Sequence, residues 1–201
     1  RPDSSFPHDL SCFEVKKEKI PEINEIDEKV LVVKVLYLSI DPVMRVWMSG
    51  AKTYLPPIPL KEPIWAFGIG EVVYSKNKNF AKGDLVNGVL KSQEYCLTRV
   101  SFVQKFLMIP GIPLSYYLNI IGINGFTAYQ GIVSIGKPKE GETVVVSTAA
   151  GATGIYACQF AKRLGCRVVG LTGSDEKKKF LIEELGIDVA INYNTEKNIR
   201  E

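Results

Sequence analysis

Two short stretches of this chain hold residues whose types and spacing suit phosphate chemistry. Ala149-Ala150-Gly151-Ala152-Thr153-Gly154 follows directly on the apolar run Glu142-Thr143-Val144-Val145-Val146-Ser147-Thr148. About 20 residues further on stand Ser174, Asp175 and three consecutive lysines, Lys177, Lys178 and Lys179. A glycine turn between a strand and a helix can cradle a pyrophosphate. Gly151 has no Cβ, so backbone can approach the ligand closely. Gly154 lets the helix pack on the sheet, and the helix N-terminus offers free N–H groups and a positive dipole end. Ala149 stands where the usual fingerprint has its first glycine. A tight turn without a ligand is the alternative.

The surrounding pattern supplies the context that such a turn needs. Thr143–Thr148 is predicted as a strand and Ala152–Leu164 as a helix, with Gly154, Ala157, Cys158, Ala161 and Leu164 on one face. Arg167–Leu171 is the next strand. Asp175–Leu185 is the next helix, with Ser174 as N-cap, two acids in its first turn and Gly186 closing it. Val189–Asn192 is a third strand. The order βαβαβ makes one mononucleotide-binding half of a doubly wound parallel sheet. Thr143–Thr148 would then form an apolar, unpaired edge. The expectation is a fragment or a sequence lacking its C-terminal part; the alternative is another strand or a partner chain on that edge.

The segment before residue 115 reads differently. Cys12–Ile20, Lys29–Ile40, Phe67–Ser75, Gly83–Leu90 and Glu94–Val100 are short β-rich runs between Pro and Gly turns, which predicts a small antiparallel barrel or sandwich. Pro56, Pro57, Pro59 and Pro63 mark one long loop. The expected division is 1–115 and 116–201.

Composition bounds the function. Hydrophobic residues make up 46% and charged residues 23%, which fits a globular chain rather than a disordered one. A net charge of +3 is too small to argue for nucleic acid or a membrane surface. No apolar run approaches the roughly 20 residues needed to span a bilayer. Cys12, Cys96, Cys158 and Cys166 form no C-x-x-C pair, so a reducing, cytoplasmic setting is expected. The single histidine, His8, reads as a solvated side chain. It is the one residue through which a Ser-His-Asp triad could run, and a His-rich metal site is excluded.

The cofactor follows from the end of the second predicted strand. An NAD site usually has an acid about 20 residues past the turn. Here Leu171-Thr172-Gly173-Ser174 is small and neutral, Asp175 comes a place or two late and lysines follow. That favours the 2′-phosphate of NADP. A solvated lysine face is the alternative.

The segments YLSIDPVMR (37–45), FGIGEVVYS (67–75), GDLVNG (83–88), NGFTAYQGI (124–132), AAGATG (149–154), GSDEK (173–177) and INY (191–193) occur in that order. Together they resemble the medium-chain dehydrogenase/reductase superfamily, in its zinc-free branch of leukotriene B4 12-hydroxydehydrogenases, prostaglandin reductases and 2-alkenal reductases. The resemblance implies an α/β plus β chain: a GroES-like β-rich domain followed by a partial Rossmann domain, a doubly wound parallel sheet. It implies NADPH-dependent reduction of the carbon–carbon double bond of an α,β-unsaturated aldehyde or ketone, without zinc. By the same resemblance Gly151, Ala152, Thr153 and Gly154 match the diphosphate turn, Lys177 the 2′-phosphate lysine and Tyr193 the adenosine-side tyrosine. Thr127 lies in the segment lining the nicotinamide, and Tyr54 in a loop that faces substrate. A homodimer is one assembly open to such a chain. Where zinc-dependent relatives carry ligands, this chain has Ser39, Ile40, Asp41, Phe67 and Gly68.

Three departures stand out. Val43 replaces the frequent tyrosine of the DP-x-MR segment, Lys91–Tyr95 replaces a WQEY-like stretch, and the branch's C-terminal tyrosine lies outside this sequence, so no complete catalytic set is named. Several residues have plainer readings: Tyr54 packing on prolines, Thr127 bonding its own helix, Asp41 and Arg45 as a structural pair, Trp47 and Trp65 as core. A quinone reductase of the same superfamily and a truncated, non-catalytic NADPH-binding protein are the alternative functions.

Overall fold

The computed structural model describes residues 12–20, 26–53 and 56–196. The chain falls into two compact units, residues 1–112 and 113–201.

The first unit is built on one antiparallel sheet. Its strands are β1 (Val30–Leu38), β2 (Trp65–Ser75), β3 (Leu85–Lys91), β4 (Tyr95–Arg99) and β5 (Val103–Lys105), in the order β4-β1-β2-β3-β5. The β1–β2 pairing shifts register twice, between Val32 and Val33 and between Val35 and Tyr37. Such irregularities bend a strand and raise its twist. The Thr98 hydroxyl on edge strand β4 donates to the Val89 carbonyl on β3 at 3.3 Å, so the sheet rolls toward itself. The inner face buries Leu31, Val33, Val72, Val86, Leu90 and Cys96. Gly70 is required by packing, since a Cβ there would run into the Val33 side chain.

The expected small antiparallel β unit is found, as one five-stranded sheet that rolls toward a barrel. One run predicted as strand is not strand: Cys12–Ile20 is exposed along its length, with Val15 at 99%. Its Lys and Glu residues leave too few apolar positions to hold it on a sheet. The proline loop carries no strand among its described residues. Its Ile58 is buried, and the Ile58 N–H donates to the Trp47 carbonyl at 3.0 Å. Helix α1 (Val43–Ser49) buries Met44 and Trp47, and Trp47 meets Phe67 edge-on with ring centroids 5.9 Å apart. Trp65 packs partly buried against the same cluster.

The second unit opens on a 3-10 helix (Leu114–Leu118), followed by α2 (Ile123–Tyr129), which runs into a π-helical turn over Gln130–Gly136. Then come β6 (Thr143–Val146), α3 (Gly154–Arg163), β7 (Arg167–Thr172), α4 (Asp175–Glu183) and β8 (Val189–Asn192). The three strands pair in parallel, in the order β6-β7-β8. Among the described residues no strand pairs with the outer edge of β6, and Val145 there is 62% exposed. The core between sheet and helices holds Ala149, Cys158, Ala161, Val168 and Leu181, all fully buried.

The predicted βαβαβ order is the observed one; β6, α3 and α4 are shorter than expected, β7 runs one residue further to Thr172 and β8 is as predicted. β6 stops at Val146 because Thr148 turns the chain with a left-handed φ of 51°. α3 begins at Gly154 rather than Ala152. α4 ends at Glu183, before Gly186 takes a φ of 69°. No helix among the described residues is long and apolar enough to cross a membrane.

Candidate cofactor site

The turn after β6 is shaped by contacts that only small residues permit. The Ala149 N–H donates to the Leu171 carbonyl at 2.9 Å, tying the turn to the end of β7. The Ala149 methyl faces Gly170, where a Cβ would come within 2.8 Å of it. The absent first glycine is thereby explained. The left-handed residue of this turn is Thr148, one place earlier, and the methyl of Ala149 is accommodated because its neighbour across the sheet has none.

Gly151 and Gly154 differ in how strictly they are required. A Cβ on Gly154 would run into the Thr148 carbonyl oxygen and come within 2.8 Å of Ala149 Cα. On Gly151 it would meet Thr148 Cγ2 at 3.0 Å and Thr148 O at 3.1 Å. Packing alone fixes glycine at 154. At 151 a side chain would only be crowded by Thr148.

Helix α3 then starts without a side-chain cap. Ile155 N–H donates to the Gly151 carbonyl at 3.0 Å and Ala157 N–H to the Thr153 carbonyl at 3.1 Å. Among the described residues the amides of Ala152, Thr153 and Gly154 donate to no protein acceptor. These are the orphan donors of a helix start. The Thr153 hydroxyl donates to Asn124 Oδ1 at 3.0 Å, which joins the turn to α2. Asn124 was not singled out by sequence; the quoted NGFTAYQGI segment contained it, but its partner lies 29 residues away. Thr127 lies on that same α2, exposed, and its hydroxyl makes no hydrogen bond among the described residues.

The second cluster lies at the carboxyl ends of β7 and β8. Ser174 caps α4, its hydroxyl accepting from the Lys177 N–H at 3.3 Å, as its position predicts. Tyr193 is half exposed and lies against Gly173, where an added Cβ would meet its hydroxyl at 2.6 Å. Asn192 donates to Asp175 and Asn194 donates to the Gly173 carbonyl, each at 2.8 Å. Lys179 pairs with Glu183 at 3.7 Å, on a solvated face. Lys177 and Lys178 are exposed and make no ion pair among the described residues.

The two clusters are continuous along the carboxyl edge of the sheet. Ala149 links the first turn to β7, and the Tyr193 N–H donates to the Thr172 carbonyl at 3.0 Å, linking β7 to β8. In open α/β sheets that edge is where ligands bind. Gly151, Ala152, Thr153, Gly154, Lys177 and Tyr193 are all brought to it. The residues fit a dinucleotide: free amides for the pyrophosphate beside Gly151, and lysines without an ion pair among the described residues. Tyr54 lies outside the described residues.

Other candidates are quieter. Burial pushes the Cys158 thiol up to about 11 and raises that of Cys96, which leaves both protonated. Asp41 Oδ2 is buried without a hydrogen-bond partner. The Ser39 N–H donates to the Phe67 carbonyl at 2.7 Å. Among the described residues no three His, Cys, Asp or Glu side chains gather as a metal group would need.

Comparison with known proteins adds sequence and fold likeness. The family model described as the N-terminal domain of oxidoreductase matches residues 4–106, just over half the chain. One described as zinc-binding dehydrogenase matches residues 152–201. The chain is 42% identical over 185 residues to the NADP(+)-dependent 2-alkenal reductase of Nicotiana tabacum, covering 91% of this chain and 52% of that protein. It is 40% identical over 200 residues to prostaglandin reductase 1 of Mus musculus, covering 98% of this chain and 56% of that protein. The crystal structure of CurA from Vibrio vulnificus in complex with NADPH matches with a TM-score of 0.78 at 35% identity, over 91% of this chain and 53% of that one. The chain spans about half the length of the curated relatives it matches.

Proposed function

Because the chain belongs to the medium-chain dehydrogenase/reductase superfamily, with a GroES-like unit followed by part of a Rossmann sheet, we propose that it binds NADPH and reduces the carbon–carbon double bond of α,β-unsaturated aldehydes or ketones. The observation that carries this reading is the row of uncapped α3 amides on the same sheet edge as Lys177. Relatives named as 2-alkenal and prostaglandin reductases support the substrate class.

When bound, NADPH supplies a hydride to the β-carbon of the substrate. The chain's own residues hold the reactants. The amides of Ala152, Thr153 and Gly154 bind the pyrophosphate, with Gly151 allowing close approach. Lys177 pairs with the 2′-phosphate, and Tyr193 lies beside the adenosine. Asp175 Oδ1 accepts from Asn192 Nδ2, which draws that carboxylate toward the end of β8 and supports NADPH over NADH. By the same resemblance Thr127 would belong to the segment lining the nicotinamide, and Tyr54, outside the described residues, to a substrate loop. Charge that develops on the substrate carbonyl oxygen calls for hydrogen-bond donors, not for zinc. Ser39, Ile40, Phe67 and Gly68 supply no thiolate or imidazole at the positions where zinc-dependent relatives carry ligands. A cytoplasmic setting and a small-molecule partner complete the proposal, with a homodimer as one assembly open to it.

The test is a fluorescence titration of the purified protein with NADPH and with NADH. Tighter binding of NADPH is expected. A charge-assisted bond contributes roughly 1.5–3 kcal/mol, so Lys177→Ala should weaken NADPH at least about tenfold and leave NADH nearly unchanged. Equal losses for both cofactors would remove Lys177 from the assignment.

A further inference from the structure

Asn192 is an anomaly in its strand. β8 reads Val189-Ala190-Ile191-Asn192, and its last side chain is polar yet only 5% exposed. A buried carboxamide must find partners for donor and acceptor alike. Asn192 finds both in loops. Its Nδ2 donates to Asp175 Oδ1 at 2.8 Å, and its Oδ1 accepts from the Asn194 N–H at 3.1 Å. Its carbonyl accepts from the Glu196 N–H at 2.9 Å and from the Thr195 hydroxyl at 3.3 Å. Asn194 in turn holds the Gly173 carbonyl at 2.8 Å. The loops after β7 and β8 are thereby clasped together through Asn192.

Asp175 is the acid that makes this clasp functional. It stands a place or two beyond the position, about 20 residues past the glycine turn, at which NAD-dependent folds place an acid on the ribose 2′-hydroxyl. A carboxylate free at that place would repel a 2′-phosphate. Glu176 follows it in the first turn of α4 and is exposed, as are Lys177 and Lys178. We propose that Asn192 is a positioning residue for cofactor choice: it holds the Asp175 carboxylate against the end of β8, so that Lys177 rather than an acid meets the 2′-phosphate. The inference rests on the NADPH reading of this edge.

Calorimetric titration with adenosine 2′,5′-bisphosphate and with adenosine 5′-monophosphate isolates the adenosine end of the site. The wild-type chain should prefer the 2′-phosphorylated nucleotide. Asn192→Ala should lose about fivefold of that preference, the effect of two like charges a few ångströms apart in water. Adding Asp175→Asn to that variant should restore the preference. Asp175→Asn alone should change it less than about twofold, since the carboxylate is already held away. That single variant carries the test if Asn192→Ala does not fold. Equal weakening of both nucleotides by Asn192→Ala, with no rescue, would reduce Asn192 to a structural support and overturn the proposal. A severalfold gain in preference from Asp175→Asn alone would also overturn it, by showing that the carboxylate already faces the phosphate. If the wild-type chain does not distinguish the two nucleotides, the NADPH reading itself fails and takes this inference with it.

Discussion

The two strand-to-helix turns of the parallel sheet meet the same need in opposite ways. Each helix start leaves amides without intrahelical acceptors. At α4, Ser174 has extended backbone (φ −150°, ψ 157°) and its hydroxyl caps the Lys177 amide, with Asp175 and Glu176 in the first turn. At α3, Thr153 sits at the cap position with helical backbone (φ −83°, ψ −38°), and its hydroxyl is engaged by Asn124 instead. One turn is closed by its own side chains. The other keeps its amides available for an anion from outside. The missing cap and the glycines fall together at the turn proposed to hold a phosphate.

The sharpest way to break this comparison is to alter the glycines of the open turn one at a time. Gly154→Ala drives a methyl into the Thr148 carbonyl and the Ala149 backbone, neither of which can yield without moving β6. A loss of about 3 kcal/mol in stability is expected, read by urea denaturation. Gly151→Ala meets the exposed Thr148 side chain at 3.0 Å. It should cost no more than about 1 kcal/mol of stability, yet weaken NADPH and NADH alike by on the order of tenfold. If Gly151→Ala unfolds the protein as readily as Gly154→Ala, both glycines serve packing and the turn loses its claim on a ligand.

The closed turn gives a smaller effect. Ser174→Ala removes a cap and should cost about 1 kcal/mol of stability. Thr153→Val removes no cap from α3, so its loss should come only from the single bond to Asn124, at about 0.5–1.5 kcal/mol. The informative readout is amide hydrogen exchange at the two helix starts. Faster exchange at Lys177 in Ser174→Ala is expected, whereas the amides of Ala152–Gly154 should exchange fast already in the wild type. Slow exchange there would mean that the α3 amides have protein acceptors after all.

What was legible in the sequence was local, and what was not was held by distant partners. β8 and the Ser174 cap follow from alternation and from cap chemistry within a few residues. The end of β6 was misjudged because Thr148, a β-branched residue, takes a left-handed φ that its type disfavours. The tolerance of Ala149 depends on Gly170, which no local pattern connects to it. The run Cys12–Ile20 suggests a strand by its β-branched and aromatic residues, but its Lys and Glu residues leave too few apolar positions to hold it on a sheet. Of the site, the glycine turn, Lys177 and Tyr193 came from motif and resemblance. Asn124 and Asn192 did not, since each owes its place to a bond across 29 and 17 residues respectively.

The amino edge of the same sheet offers the smallest test and the clearest contrast with the carboxyl edge. There Asp188 Oδ2 accepts from the Val168 N–H at 2.6 Å, and Lys162 Nζ lies 2.9 Å from Oδ1 and 3.1 Å from Oδ2. The Val168 amide, and then Lys162, hold the carboxyl below its ordinary value of 3.8. A depressed carboxyl stabilises the fold fully above its unfolded value and loses that contribution as pH falls through its folded one. Stability should therefore decline as pH drops below 3.8. The side chain is about a third exposed and the pair is screened, so the decline owed to Asp188 should stay below about 1 kcal/mol. Urea denaturation of wild type and Asp188→Asn across the acid range checks this: the variant should lose that part of the slope. If its slope matches the wild type, the backbone hydrogen bond survives protonation and charge is not what holds this edge. At the amino edge a carboxylate satisfies the strand amide and a lysine satisfies the carboxylate, so nothing is left over for a ligand. At the carboxyl edge the α3 amides are left over, and a phosphate would complete them.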